Sequence, residues 1–298
     1  MNILLISGEV SGDRYAAHLA NTLLSDFPQT RLFGIGGDHL KHIVHEFVFE
    51  SAYSHGVGIE SMFFNSRFKR NLLSSLKQTL TKSRIDRVII IDFQHYNEVI
   101  ATCINSFNIP IYTFITPNFW MWKSTKEAQK ICHYSDSIIT IFEPEYAFYK
   151  SIHPKTYYFG HPLPEMIPSV TPSTISFPPT PHITLLPGSR PQEFKLYLKK
   201  MLLTLDILYR ENPGLTITLP LSSTHYKPII QAYLKDFSYL PIHLSAKPAH
   251  EIMQKSSMVF SASGSVTLEA VLLYRPLIVF AALPPLTYFI AKYILRLK

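Results

Sequence analysis

The segment from His182 to Phe194 joins a Gly-containing turn to an arginine. Its apolar residues, 183–186, predict a buried strand, which Pro187-Gly188-Ser189 ends just before a predicted helix. We expect Ser189 to cap this helix, with Gln192 reaching back to it. The N–H groups and dipole of a helix start bind anions, and the planar cation of Arg190 suits phosphate. The pattern predicts a diphosphate site, and the alternative is an ordinary strand–helix loop with a surface arginine.

A second strand–turn–helix pattern lies at residues 261–269, SASGSVTLE. Ser263, Gly264 and Ser265 follow an apolar strand and are predicted to open a helix, whose N–H groups suit a further phosphate. Glu269 falls inside this helix, where a carboxylate suits the hydroxyl groups of ribose. Together with the helix start after Ser189, these features are typical of a nucleoside-diphosphate pocket.

Further polar residues follow the first predicted strand, in the segment SGEVSGD at residues 7–13. We expect Ser11 to cap the next helix beside Gly12, with Glu9 and Asp13 at the mouth of a cleft. The G-x-G-x-x-G spacing of a dinucleotide site is absent. Carboxylates here suit sugar hydroxyl groups better than phosphate, and the alternative is that they only cap the helix.

The predicted strand 87–92 ends at Asp92 and is followed by His95 and Asn97. An aspartate near a histidine suits proton transfer from a hydroxyl group. The alternative for His95 is a surface position or a structural hydrogen bond. Both tryptophans, Trp120 and Trp122, follow another predicted strand. They either offer apolar platforms for a sugar or acyl group or pack within the domain.

The composition favours phosphate-bearing ligands or an anionic membrane surface, because the 298 residues carry a net charge of +7 with only 16% charged residues. No run of Lys and Arg and no basic–aromatic repeat indicates nucleic acid, so we expect no nucleic-acid partner. Cys103 and Cys132 provide neither a disulfide framework nor a zinc pattern, which predicts a cytoplasmic protein. The sequence shows no metal-ligand cluster, and we expect no metal or other cofactor.

Each end of the chain contains an apolar run, and the one at residues 276–298 is the only membrane-like segment. Residues 1–13 lack the charged start of a signal peptide and predict a strand. Residues 276–298 are divided by Pro284-Pro285 into pieces too short to span a bilayer. We expect a strand at 276–281 and then an amphipathic segment. This segment either lies on an anionic bilayer or packs as a core helix.

Apolar strands alternate with helical patterns along the chain, which predicts an α/β fold of parallel sheets covered on both faces. Seven prolines between His161 and His182 interrupt the alternation and predict a stiff linker. We therefore expect domains at 1–165 and 182–298, joined by a linker at 166–181, with a cleft between them. The predicted strands are 2–7, 31–35, 87–92, 110–115, 137–141, 156–159, 183–186, 215–220, 240–244, 257–261 and 276–281. The predicted helices are 12–26, 61–82, 95–107, 123–133, 143–152, 191–210, 226–236, 248–255 and 264–273.

From residue 3 to its end the chain resembles lipid-A-disaccharide synthase, a family of inverting glycosyltransferases with two facing Rossmann-like domains (the GT-B fold). The order and spacing of many segments carry the resemblance. They are SGEVSGD, GIGGDHL, IDFQHYN, TPNFWMWK, FEPEYAFY, FGHPLPE, LLPGSRPQE, SASGSVTLEA and PLTYFIAK.

The resemblance implies that UDP-2,3-diacylglucosamine donates its sugar to 2,3-diacylglucosamine 1-phosphate, giving a β(1→6) disaccharide and UDP. It places the acceptor side at Glu9, Ser11, Gly12, Asp13 and the loop 92–97. It places UDP at Gly188, Ser189, Arg190, Ser263, Gly264, Ser265 and Glu269. Both substrates carry acyl chains, which implies a peripheral protein on the inner membrane face.

The chain departs from the family pattern at three places. His95 stands where the family has the aspartate that is its candidate base, so His95, Asp92 and Glu9 are the candidate catalytic residues. Val57-Gly58 replaces a Met-Gly pair. The chain stops at Lys298, where family members continue, so we expect an incomplete second domain and either a homodimer or a complementing C-terminal fragment.

Two other functions fit the same architecture. One is a UDP-sugar epimerase, which would not need lipid-facing aromatic residues. The other is an inactive, membrane-associated remnant of the synthase, which would not bind UDP saturably.

Overall fold

The computed structural model describes residues 1–51, 61–93, 96–121, 124–171, 176–189 and 191–281. The chain divides into two compact units, Met1–Pro162 (the first unit) and Leu163–Lys298 (the second unit). Each unit contains a parallel sheet whose strands alternate with helices. The prediction of an α/β fold built on two parallel sheets is confirmed.

The first unit has a sheet in the order β3-β2-β1-β4-β5-β6-β7. Long apolar runs form its central strands because both faces of the sheet are covered by helices; Leu4, Leu5 and Ile6 of β1 have no exposed surface. Within the described residues its strands are β1 (Asn2–Ser7), β2 (Arg31–Gly36), β3 (Glu46–Glu50), β4 (Arg87–Ile91), β5 (Ile111–Phe114), β6 (Ser137–Thr140) and β7 (Thr156–Tyr158). Its helices are α1 (Val10–Asp26), α2 (Asp38–Lys41), α3 (Ser61–Lys82), α4 (Asn97–Asn105), α5 (Thr125–Tyr134) and α6 (Glu143–Lys150).

The second unit has a sheet in the order β10-β9-β8-β11-β12. Its described strands are β8 (His182–Leu186), β9 (Thr216–Pro220), β10 (Ile242–Ser245), β11 (Met258–Ala262) and β12 (Leu277–Phe280). Its described helices are α7 (Leu163–Met166), α8 (Pro191–Glu193), α9 (Lys199–Glu211), α10 (Lys227–Leu234), α11 (Ala249–Met253) and α12 (Ser265–Leu272). A π-helical turn, Phe194–Leu198, joins α8 to α9.

The structure differs from the prediction at several places. The short helices α2 and α7 were not predicted, and the predicted helix 191–210 is divided into α8, the π-helical turn and α9. Strand β3 was not predicted, because its sequence EFVFE begins and ends on exposed glutamates at the edge of the sheet. The Pro-rich segment is not wholly an extended linker, because Leu163 and Ile167 are buried against the core of the second unit. Apolar side chains between the prolines bury surface there and hold this part of the segment in place.

Candidate functional site

The acceptor-side candidates of the first unit meet where its strand order reverses. β1 pairs with β2 on one side and with β4 on the other, and Ser7 at the end of β1 lies opposite Ile91 at the end of β4. In open parallel sheets, ligands bind at the carboxyl ends of the strands beside such a reversal. Glu9 follows β1 and Asp92 follows β4, so both candidates lie at this point.

Ser11 connects the two strand ends. The prediction that Ser11 caps the next helix is wrong. Helix α1 begins at Val10 with Glu9 as its N-cap, so Ser11 is already inside the first turn. The Ser11 hydroxyl donates instead to Oδ2 of Asp92, at 3.1 Å. The sequence places the helix start two residues too late, because a serine favours a cap only where the backbone is still extended.

Asp92 has an unusual backbone, with φ of 43°. Its N–H donates to the carbonyl oxygens of Phe114, at 3.2 Å, and Ile115, at 3.3 Å. Ile115 itself has φ of 65°, which is rare for a β-branched residue. Such conformations cost about 1–3 kcal/mol each and cluster at functional sites. A Cβ atom added to Gly12 would lie 3.2 Å from Cβ of Asp92, so this glycine lets α1 start against the Asp92 backbone.

The carboxylate of Asp13 binds the start of helix α2. Its Oδ1 accepts hydrogen bonds from the N–H groups of Gly37 (2.6 Å) and Leu40 (3.3 Å), and its Oδ2 accepts one from the N–H of His39 (2.9 Å). The side chain is buried, and burial raises its pKa above the ordinary value, with the three N–H groups and His39 opposing this shift. The capping alternative is therefore favoured for Asp13, although the helix it caps is α2 and not α1.

The remaining first-unit candidates have mixed positions. Asn97 is buried in the first turn of α4, and Trp120 ends a 3₁₀ turn with its ring centroid 6.0 Å from that of Phe142. Trp120 also packs partly against the core of the unit, as in the packing alternative. His95 and Trp122 lie outside the described residues.

The UDP-side candidates meet at the equivalent reversal in the second unit. β8 pairs with both β9 and β11, and Leu186 at the end of β8 lies opposite Ser261 near the end of β11. The turn at Gly188–Ser189 and the turn at Ser263–Gly264 therefore follow neighbouring strands at the same edge. Arg190 lies outside the described residues.

Glu193, and not Gln192, reaches back to the first turn. The Ser189 N–H donates to Oε2 of Glu193 at 2.6 Å. Gly188 has φ of 115°, and a Cβ atom at this position would collide with the same Oε2 atom. Our prediction chose the wrong residue because it counted from Ser189 as the cap, whereas α8 begins at Pro191. The four-residue spacing between Ser189 and Glu193 was the sequence feature that could have indicated this contact.

The second turn is more open than the first. Ser263, Gly264 and Ser265 are exposed, and nothing lies within 4 Å of the place where a Cβ atom would stand on Gly264. Gly264 is the N-cap of α12, with an extended backbone. Glu269 lies in this helix as predicted, and it is fully buried.

Glu145 is a buried carboxylate whose position was not predicted. Its Oε1 accepts from the N–H and hydroxyl groups of Thr116, at 3.0 and 2.6 Å. Its Oε2 accepts from the N–H groups of Ile141 (2.9 Å) and Phe142 (3.2 Å). It thereby ties the loop after β5 to the start of α6, at the same edge of the sheet as Asp92.

Neither a metal-binding cluster nor a membrane-spanning helix occurs within the described residues. No three or more His, Cys, Asp or Glu side chains lie close enough together there to hold a metal ion. Among the helices described, none combines the length and the hydropathy needed to cross a membrane.

Curated relatives share sequence with nearly the whole chain. The lipid-A-disaccharide synthase of Geobacter metallireducens is 27% identical over 300 residues, which are 99% of this chain and 78% of the relative. The enzyme of the same name from Coxiella burnetii is 28% identical over 303 residues, which are 100% of this chain and 79% of the relative.

Solved structures share the fold. UDP-GlcNAc 2-epimerase from Neisseria meningitidis, bound to UDP-GlcNAc, matches with a TM-score of 0.65 and 15% identity over 98% of this chain and 86% of its own. S. aureus MnaA, solved with UDP, matches with a TM-score of 0.65 and 14% identity over 94% of this chain and 79% of its own.

The family model for lipid-A-disaccharide synthetase matches residues 3–298. The chain therefore belongs to the lipid-A-disaccharide synthetase family of glycosyltransferases.

Proposed function

We propose that this protein transfers 2,3-diacylglucosamine from UDP-2,3-diacylglucosamine to 2,3-diacylglucosamine 1-phosphate, forming a β(1→6) disaccharide and UDP with inversion. Family membership supports the reaction type. The observation that carries the site is that both predicted phosphate turns follow neighbouring strands, β8 and β11, where the strand order of the second sheet reverses.

We assign UDP to this edge of the second unit. Gly264, Ser265 and the start of α12 offer N–H groups to the diphosphate. The Ser263 N–H already donates to the carbonyl oxygen of Phe280 (3.3 Å), so Ser263 offers its hydroxyl. The guanidinium of Arg190 would stabilise the charge that develops on UDP. The Ser189 N–H already binds Glu193, so Ser189 offers its hydroxyl. Glu269 is assigned to the ribose, which requires that the buried carboxylate become accessible when UDP binds. Two structural neighbours were solved with UDP or UDP-GlcNAc, which agrees with a nucleotide ligand.

We assign the acceptor to the carboxyl edge of the first sheet. Asp92 and Glu9 lie there, with Asp92 held by Ser11. Either Asp92 or His95 removes the proton of the attacking 6-hydroxyl, because an unperturbed histidine with a pKa of about 6.5 is also a base at neutral pH. No step of this assignment calls for a metal ion or another cofactor.

We further propose that the protein works at the inner membrane face, where substrates with acyl chains reside. The net charge of +7 favours an anionic lipid surface. A homodimer is the protein partner we expect.

The direct test supplies both lipid substrates in mixed micelles and measures UDP and disaccharide by mass spectrometry. We expect both products in equal amounts, and NMR of the new linkage should show the β anomer. An α linkage would overturn inversion while leaving the transfer reaction in place. Absence of both products would reject the transfer.

A second measurement separates the rival functions. UDP titration by calorimetry should give saturable binding, and Arg190→Ala should weaken it about 10- to 100-fold, which is the effect of losing one charge-assisted hydrogen bond. Lys195→Ala, an exposed cation five residues away, is the matched control and should leave UDP affinity unchanged. No saturable binding would favour the inactive remnant. Epimerisation of UDP-GlcNAc would favour the epimerase.

A further inference from the structure

His161 lies over the carboxyl edge of the first sheet, although it follows the last strand in that sheet. The order β1-β4-β5-β6-β7 separates β7 from β1 by four strand spacings, or about 19 Å. Yet the His161 ring centroid is 5.9 Å from that of Tyr15, in the helix that follows β1. Gly160, with φ of 95°, provides the turn that directs the chain back across the edge.

Tyr15 links His161 to the acceptor-side candidates. Tyr15 stands four residues after Ser11 in α1, so the two side chains share one face of the helix. Ser11 in turn donates to Asp92. Contacts through Tyr15 and Ser11 on α1 therefore connect His161 to the carboxylate that we assign to the reaction.

Aromatic rings continue from His161 along the same edge. The His161 ring centroid is 5.2 Å from that of Phe142, in an edge-on contact, and Phe142 lies 6.0 Å from Trp120. Phe142 keeps 40% of its surface exposed. The row Tyr15–His161–Phe142–Trp120 (the aromatic row) thus combines apolar surface with a single imidazole.

We propose that His161 is a specificity-determining residue that hydrogen-bonds a hydroxyl group of the acceptor sugar, while Phe142 and Trp120 contact the apolar part of the same ligand. This inference rests on the proposed function and names a residue that the motif analysis did not assign. Burial lowers the pKa of His161, so the ring is neutral at neutral pH, and a neutral imidazole has one donor and one acceptor nitrogen. That combination suits a hydroxyl group, which also donates and accepts.

Two substitutions distinguish hydrogen bonding from packing. His161→Phe keeps a flat ring for Tyr15 and Phe142 but removes both nitrogens, and His161→Gln keeps polar atoms but removes the ring. We expect His161→Phe to raise the acceptor KM about 3- to 10-fold, with kcat and the donor KM unchanged, and His161→Gln to stay within about 2-fold of the parent. The opposite ranking, with Phe harmless and Gln impaired, would show a packing role and overturn the proposal.

The control is His133→Phe, an exposed histidine on α5, which should change no kinetic constant. Direct binding of diacylglucosamine 1-phosphate, measured by calorimetry, keeps the test independent of turnover. If the parent protein binds this acceptor but transfers no sugar, the proposed function fails, and the His161 variants still report on the inference. Equal affinity of parent and His161→Phe would reject the inference alone.

Discussion

The Ser11 hydroxyl donates a 3.1 Å hydrogen bond to Oδ2 of Asp92, which joins the first turn of α1 to the end of β4. This bond crosses the reversal in strand order of the first sheet. It orients the side-chain carboxylate of Asp92. The backbone N–H of Asp92 is already held by the carbonyl oxygens of Phe114 and Ile115. The arrangement fixes the position of the Asp92 carboxylate at the strand ends.

Asp92→Asn tests whether this carboxylate takes the proton. If Asp92 is the base, kcat should fall about 100-fold or more, the range of general base catalysis, with UDP affinity unchanged. Ser11→Ala removes only the orienting bond, and we expect kcat to fall about 10-fold. Steady-state kinetics and UDP calorimetry measure both effects.

The control for this pair is Thr102→Ala, because Thr102 is exposed on α4 and donates only to the Glu98 carbonyl oxygen. His95→Ala provides the comparison. Full activity in Asp92→Asn together with loss of activity in His95→Ala would give the base role to the histidine.

The raised pKa of Asp13 leads us to expect that the stability of the protein depends on pH. Burial raises its pKa in the folded protein, so the folded state holds the proton more tightly than the unfolded chain does. The stability that Asp13 contributes is then fully present below its ordinary pKa, and it is lost as the pH rises through the raised pKa. We expect the difference in unfolding free energy between the parent and Asp13→Asn to shrink over this interval and to stay constant above it.

Urea unfolding at a series of pH values from 4 to 8 measures this difference. Subtracting the variant removes the contribution of the other carboxylates, including Glu145, whose pKa burial also raises. A difference that grows with pH would mean that the three backbone N–H groups outweigh burial and lower the pKa of Asp13.

The strands were predictable where an apolar run alone marks a buried strand. The LLI run of β1 indicates a strand covered on both faces, and the structure buries it completely. Strand β3 is short, lies at an edge and carries glutamates at both ends, so neither its hydropathy nor its length distinguishes it from a loop.

The site was predictable as a set of loops but not as a set of contacts. Ser11 and Glu9 were found because they follow an apolar run, yet the partner of Ser11 is 81 residues away. The carboxylate of Asp13 binds N–H groups 24 to 27 residues further on. Such pairings depend on which strands are neighbours, and periodicity within one segment contains no information about that order.

Gly188 and Gly264 should respond differently to alanine. At Gly188 the φ of 115° disfavours any side chain, and the added Cβ would collide with Glu193. Gly188→Ala should therefore lower the unfolding free energy by about 1–3 kcal/mol and also weaken UDP binding. At Gly264 the backbone is extended and the space is open, so Gly264→Ala should fold with unchanged stability and weaken UDP binding only.

Thermal melts and UDP titration together measure both effects. Gly214→Ala is the control, because nothing lies within 4 Å of its added Cβ and it is remote from both turns in sequence. Unchanged UDP affinity in Gly264→Ala would remove the second turn from the assigned diphosphate site.

Arg275 should control how firmly the Pro-rich segment is held on the second unit. Its buried guanidinium donates to the carbonyl oxygens of Ser176 (2.9 Å), Ser256 (3.1 Å) and Gln254 (2.5 Å), and it lies 5.3 Å from the ring centroid of Phe177. Arg275→Leu leaves these carbonyl groups without the cation and should cost about 3 kcal/mol of unfolding free energy. Arg275→Lys keeps the charge but loses the planar fork, so its effect should be intermediate.

Limited proteolysis tests the local part of this prediction. Cleavage within residues 166–181 should become faster in Arg275→Leu, because Ser176 and Phe177 lose their contacts with the guanidinium of Arg275. Arg84→Leu is the matched control, since the Arg84 side chain is 93% exposed and faces only Asp86. If the cleavage rate in the Pro-rich segment is the same in both variants, Arg275 stabilises the second unit without holding that segment, and buried side chains such as Leu163 and Ile167 hold it instead.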